Sequence, residues 1–334
     1  MKKYLAILLS IALLGTSAVA VSAEEDFNAN DYQYGASIST AKNVFFVALQ
    51  LGYEKGFEEQ GIDEENYTIT DGNDDITYQI GQFEDMLQAG ADVLILNPVE
   101  ADPVNAFEAE AVEAGVPIIY CDRGSTSDGY TCFLQSDNVA LGRMGGEYII
   151  NFLTEKYGEV KGHVVELEGR QGASPTILRG QGFHEVIDEY VESGAIDLVT
   201  QNGDFDQQVS LDAMMNILQA DEDKDAVFGH NDDCVLGARK ALESFDKTAL
   251  VGEEGHVCLV GIDGTFETLT AIDEGKIDAT IAQNPMSMGA EAVRLATEIL
   301  KGNEVEKDIS WELKTLTKEN CMDEDNWGIA AENA

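Results

Sequence analysis

Short runs of β-branched and aromatic residues alternate, through most of the chain, with longer stretches whose apolar residues recur every three or four positions. That alternation restricts the chain to an α/β fold of parallel βαβ units, because each helix must cross over the sheet before the next strand can lie beside the last. Strands are expected at 34–39, 67–70, 92–96, 117–121, 131–135, 163–168, 196–200, 226–229, 258–262, 279–282 and 311–316. After the first of these, Phe46, Leu49, Tyr53 and Phe57 form one apolar helical stripe, and further helices are expected to begin near Ile76, Asp102, Ala140, Ile177, Gln208, Cys234, Phe266 and Met288. Gly90, Gly115, Gly275 and Gly302 stand where helices should stop. Eleven strands are many for one doubly wound sheet, and 334 residues suffice for two cores, so the chain reads as two similar lobes joined by several crossovers.

Lys2 and Lys3 precede an apolar stretch at 5–14, and small residues follow as far as Ala23, the order of a secretory signal peptide cleaved after that residue. The apolar stretch is shorter than the roughly 20 residues that span a bilayer. With no cysteine there to carry a lipid, the expected product is a free periplasmic protein. A formal charge of −43 describes a solvated surface that repels phosphate backbones and excludes nucleic acid as a partner. Cys121, Cys132, Cys234, Cys258 and Cys321 show no zinc spacing and are expected in the core, although Cys121 and Cys132 fall on neighbouring expected strands and a bridge between them stays open.

No GxSxG elbow, GxxxxGK[ST] phosphate loop or HExxH zinc pair occurs, and the chain is not expected to be an enzyme. Gly142, Gly145 and Gly146 match a dinucleotide fingerprint only loosely and lie inside a helical stretch, where they read as packing residues. The four histidines are scattered, and the alternating Asp221, Asp223 and Asp225 lack the glycine and glutamate of a calcium loop, so neither metal nor cofactor is expected. What does recur is a polar or aromatic residue at the carboxyl end of strand after strand, where open α/β sheets hold ligands. These are Ser39 with Asn43, Phe45 and Phe46; Asp122 with Arg123; Asn231 with Asp232; Asp263; and Gln283. Singly, an Asp or Asn after a strand is a helix cap. Together they suit a monosaccharide, whose C–H faces aromatic rings can cover and whose hydroxyls pair with carboxylates and guanidinium groups. Asp122 and Arg123 would also compensate each other's buried charge.

At these positions the sequence resembles the ribose-binding protein family of periplasmic receptors. The resemblance runs from about 34 to 316 through Ser39-Thr40-Ala41-Lys42-Asn43-Val44-Phe45-Phe46, Leu96-Asn97-Pro98, Cys121-Asp122-Arg123, Ser136-Asp137-Asn138, Gly180-Gln181-Gly182-Phe183, Gly203-Asp204-Phe205-Asp206, His230-Asn231-Asp232, Val260-Gly261-Ile262-Asp263-Gly264 and Ala279-Thr280-Ile281-Ala282-Gln283. It implies two Rossmann-like lobes with parallel sheets flanked by helices, joined by a three-strand hinge and closing around one sugar. The lobes would be 31–136 plus 284–310, and 137–283 plus 311–334. By matching position, Phe45 and Phe205 would sandwich the ring with Phe46 beside them. Asn43, Asp122, Arg123, Arg179, Asn231, Asp263 and Gln283 would take the hydroxyls, with Ser39 in support. Arg179 and Phe205 enter through the resemblance alone. Implied partners are a monosaccharide (ribose, or a related pentose or hexose), the permease of an ABC transporter, and alternatively a chemoreceptor or sensor kinase, for a monomeric receptor. Val44 replaces a proline common in ribose receptors, and the tail at 317–334 has no counterpart in the family pattern.

Overall fold

Residues 27–332 are described by the computed structural model; the expected signal peptide at 1–23 lies outside them. The first lobe begins with strands β1 (Tyr34–Ile38), β2 (Tyr67–Asp71), β3 (Val93–Leu96), β4 (Ile118–Cys121) and β5 (Cys132–Ser136), interleaved with helices α1 (Val44–Glu59), α2 (Ile76–Gln88) and α3 (Asn105–Ala114). The second runs through α4 (Asn138–Tyr157), β6 (Gly162–Glu168), α5 (Ser174–Glu192), β7 (Ile196–Asn202), α6 (Gln207–Ala220), β8 (Ala226–Gly229), α7 (Asp232–Ser244), β9 (Cys258–Asp263), α8 (Phe266–Asp273) and β10 (Ala279–Ala282). Then α9 (Pro285–Leu300) and β11 (Asp308–Trp311) return to the first lobe, while β12 (Lys314–Leu316) and α10 (Trp327–Glu332) close the chain on the second.

The two sheets repeat one winding, β11-β5-β4-β3-β1-β2 and β12-β10-β9-β8-β6-β7. Each is buried on both faces, which explains why strands such as Val93–Leu96 and Ile118–Cys121 are apolar without alternation. On the first sheet, α1 and α9 cover one face and α2 and α3 the other. On the second, α4 and α5 lie opposite α6, α7 and α8. The polar residue after each of several strands starts the following helix: Asn43, Asp75, Asp137, Asp206, Asn231 and Asn284 each accept a backbone N–H of the first turn.

One expected element is corrected. The single strand at 311–316 is two strands, β11 parallel to β5 in the first sheet and β12 antiparallel to β10 in the second. Its apolar residues serve different cores, Trp311 the first and Leu316 the second, so the chain must cross between lobes at Glu312 and Leu313. With the passages after β5 and after β10, the polypeptide crosses three times.

Of the α4 glycines, Gly142 and Gly146 pack against α5, whereas Gly145 abuts the Phe228 ring of β8. A Cβ on Gly142 would lie 1.9 Å from the Arg179 carbonyl oxygen, and one on Gly182 of α5 would lie 1.9 Å from that of Val139. All five cysteines are free and buried, Cys121 and Cys132 included, although they occupy adjacent strands. Among the described residues no group of three or more His, Cys, Asp or Glu is arranged to hold a metal ion, and no helix is long and apolar enough to cross a membrane.

Candidate functional site

Both sheets aim their carboxyl ends at one cleft, and there the structure gathers residues separated by as many as 240 positions into the wall of a single cavity of about 280 Å³. Asn43, Phe45, Phe46, Asp122 and Arg123 come from the first lobe; Arg179, Phe205, Asn231, Asp263 and Gln283 come from the second or from the passage back. Pro175 completes the lining. The volume is at the small end of the range for ligand sites, and the mixture of three rings with two carboxylates and two guanidinium groups is amphipathic on the scale of one small polyol.

Ser39 stands apart from the other expected residues. It is fully buried behind the wall, where its hydroxyl meets Asn97 and Pro98 and accepts from Arg123 Nη1 at 3.3 Å. Asn97 also donates to Asp122 Oδ2 at 3.1 Å, so the Leu96-Asn97-Pro98 turn holds both charged neighbours from behind.

Several side chains reach the cavity through uncommon backbone. A hydrogen bond from Arg123 N to the Cys121 carbonyl closes a three-residue turn around Asp122, whose φ is +66°. This splays Asp122 from Arg123. Asp204 and Phe205 are both left-handed, at +56° and +55°, and Asp263 has φ +133°. Such conformations cost about 1–3 kcal/mol each and collect where side-chain direction is a functional demand. Phe205 then lies over Gly169, where a Cβ would stand 2.0 Å from the ring.

The arginines are paired through space rather than by contact. Among the described residues neither Arg123 nor Arg179 makes an ion pair within 4.0 Å of a carboxylate, so the compensation expected between Asp122 and Arg123 acts at longer range. Arg123 lies 4.6 Å over the Phe46 ring and 5.4 Å from that of Phe205, and Arg179 lies 5.7 Å from Phe205. Arg179, 3% exposed, donates from Nε to Asn138 at 2.9 Å and from Nη1 to the His230 carbonyl at 2.5 Å. Burial raises the Asp122 carboxyl while Arg123 and Arg179 draw it back, and burial lowers the Arg123 guanidinium to about 10. Asp263 is driven up by burial, opposed by Arg179, and accepts from Gln283 Nε2 at 2.8 Å. Two buried atoms of the wall, Arg123 Nε and Gln283 Oε1, have no hydrogen-bond partner in the protein.

Asn43 and Asn231 satisfy both readings of a polar residue after a strand. Each uses Oδ1 as a helix cap, for Phe45 N at 2.8 Å and Cys234 N at 3.1 Å, and each turns Nδ2 toward Asp233, at 2.7 and 3.4 Å. The Asn43–Asp233 bond joins the lobes. So do Arg170 with Asp74 (2.8 Å to the carbonyl, 3.3 Å to Oδ1), Ala101 N with the Gly172 carbonyl at 3.1 Å, and Gly124 N with Ser174 Oγ at 3.3 Å. The cleft is therefore closed. Burial, with Asp232 beside it, lifts Asp233 to about 7.

Three arrangements have no counterpart in the sequence pattern. Asp233, in the first turn of α7, is the acceptor that Asn43 and Asn231 share. The histidines, scattered in sequence, bring His184 and His230 to either side of the buried Glu166, at 3.3 and 2.9 Å. Burial raises that carboxyl, but hydrogen bonds from the two imidazoles outweigh it and take it down to about 2. Trp327, in the tail, donates from Nε1 to the Asp263 carbonyl at 2.7 Å and meets the Phe45 ring edge-on at 6.1 Å.

Comparison with known proteins bears on the family and the fold. A family model described as a periplasmic binding protein domain matches residues 34–304. The ribose import binding protein of Bacillus subtilis is 34% identical over 324 residues, covering 95% of this chain and 100% of that protein. Among solved structures, a Mycobacterium smegmatis protein in complex with β-D-fucofuranose superposes with a TM-score of 0.80 at 26% identity, over 90% of this chain and 97% of the other. An ABC transporter solute binding protein of Bacillus halodurans with bound myo-inositol gives 0.78 at 26% identity, over 88% and 97%. Sequence and architecture converge from end to end of the match, and the chain belongs to the periplasmic binding protein family.

Proposed function

We propose that this protein captures a monosaccharide, ribose first among the candidates, and delivers it to the permease of an ABC importer without altering it. The observation that carries the reading is the cavity itself: rings, carboxylates and guanidinium groups from both lobes meet around about 280 Å³, with Arg123 Nε and Gln283 Oε1 buried in its wall and lacking protein partners. A sugar's hydroxyls would supply those partners. Phe45 and Phe205 would cover the ring faces, and Asn43, Asp122, Arg123, Arg179, Asn231, Asp263 and Gln283 would take the hydroxyls, Ser39 holding Arg123 from behind. The lobes would be 31–136 with 284–311, and 137–283 with 314–332, turning on the three passages between them as a monomer in the periplasm. Similarity to ribose import binding proteins supports ribose as the first ligand to test.

A hydroxyl that a ligand lacks leaves a charged partner unsatisfied at about 1–3 kcal/mol, which gives selectivity without chemistry. Calorimetry against a panel of pentoses, hexoses and polyols should find one tight ligand, recovered unchanged after incubation. Asp122→Ala and Arg179→Ala should each weaken it by about 100-fold or more with far-ultraviolet circular dichroism unaltered. Wild-type affinity in both folded variants would overturn the site, and conversion of the sugar would overturn the function.

A further inference from the structure

The segment after β12 belongs to the second lobe by its anchors. Cys321 is buried in that lobe's core; Asn326 Nδ2 donates to the carbonyls of Asn320 and Cys321 at 2.8 and 2.9 Å; Lys318 Nζ reaches the Asp273 carbonyl at 2.8 Å. The helix α10 then lies so close to the loop after β9 that a Cβ on Gly328 would stand 2.4 Å from the Gly264 oxygen. Yet Trp327, 5% exposed, packs within the apolar core of the first lobe. Its indole N–H holds the carbonyl of Asp263, whose φ of +133° no regular structure would supply, and its ring edge meets Phe45 at an interplanar angle of 89°. Both neighbours line the cavity.

We propose that Trp327 is a positioning residue of the site, and that the tail at 317–332 is a strap by which the second lobe grips the first around the bound sugar, setting how long the sugar stays. The inference rests on the sugar-capture reading above. Its physical basis is that one indole touches a ring-covering residue of one lobe and a hydroxyl-binding residue of the other. The groove around it is walled by Val47 and Leu51 of α1 on one side and by Leu236 and Phe266 on the other. Opening the cleft separates those walls and wets the indole, so Trp327 is buried only in the closed form.

The chain has two tryptophans, and Trp311→Phe leaves Trp327 as the one indole. In that full-length variant, adding D-ribose, or whichever panel sugar wild-type protein binds tightest, should shift Trp327 emission to shorter wavelength, whereas in Trp327→Phe the Trp311 emission should stay put. Stopped-flow measurements should show dissociation faster by about three- to tenfold in Trp327→Phe, which keeps the ring and loses the bond to Asp263, and by more than about tenfold in Trp327→Ala, with association changed less than about twofold. Should Trp327→Ala fail to fold, the Phe variant decides. Emission that does not move, or a Trp327→Phe dissociation rate equal to wild type, overturns the strap. Should wild-type protein bind no sugar of the panel, the receptor reading has failed separately, and the strap is judged by small-angle scattering of the sugar-free proteins: a larger radius of gyration for Trp327→Ala sustains it, an unchanged one overturns it.

Discussion

Phe205 reaches the cavity because Gly169, at the end of β6, has no side chain. Two successive left-handed residues throw the ring back over the strand end, and its plane occupies the space a Cβ would need. The backbone cost of about 1–3 kcal/mol at each left-handed residue is tolerated because the turn serves direction, not stability. Gly169→Ala should therefore displace the ring and weaken sugar binding by about three- to tenfold, the range an aromatic contact supports. Because the ring is only half-buried, the melting temperature should change little. Calorimetry on a double-mutant cycle checks the cause: added to Phe205→Ala, Gly169→Ala should lose nothing further, and additive losses would refute the assignment.

Arg179 is placed by a crossing of two helices rather than by its own turn. The helices α4 and α5 approach closely enough for Gly142 and Gly182 each to abut the other helix's backbone, and Arg179 sits one turn before Gly182 with Nε on Asn138 of α4. Gly182→Ala must push the pair apart, at a cost of about 1–3 kcal/mol or more. Calorimetric unfolding should show the loss, and affinity should fall with it because the guanidinium retreats from the cavity; a destabilised protein with wild-type affinity would show that the crossing does not aim Arg179. Strands were readable from runs such as Val93–Leu96, since a strand covered on both faces writes its burial directly into composition. Cavity residues at strand ends were readable for the same positional reason. Arg179 and Phe205 were not, because one lies inside a helix and the other in a turn whose two left-handed positions, Asp204 and Phe205, are not glycines. The division of 311–316 was hidden too: an unbroken run does not record that its two halves pack in different cores.

Across the whole molecule, affinity depends on how readily the lobes close. With a formal charge of −43, the surfaces that approach each other gain little from general attraction, so specific pairs at the mouth of the cleft matter. Arg170 is such a pair, bonded across the cleft to the carbonyl and carboxylate of Asp74 and outside the cavity wall. It touches no proposed ligand-binding group, so its removal acts on the closing equilibrium: apparent affinity falls by the fraction of binding-competent molecules lost. A partly exposed pair contributes up to about 1 kcal/mol, and the bond to a backbone carbonyl adds a similar amount, so Arg170→Ala should weaken binding by about three- to thirtyfold. The deficit should narrow in 1 M salt, where the Debye length shrinks to about 3 Å and the wild-type pair is itself screened. Small-angle scattering should show the sugar-free variant more extended than wild type and the saturated variant equally compact. An affinity loss that persists unchanged in high salt, or equal scattering without sugar, would mean that Arg170 acts through the ligand site and not through closure.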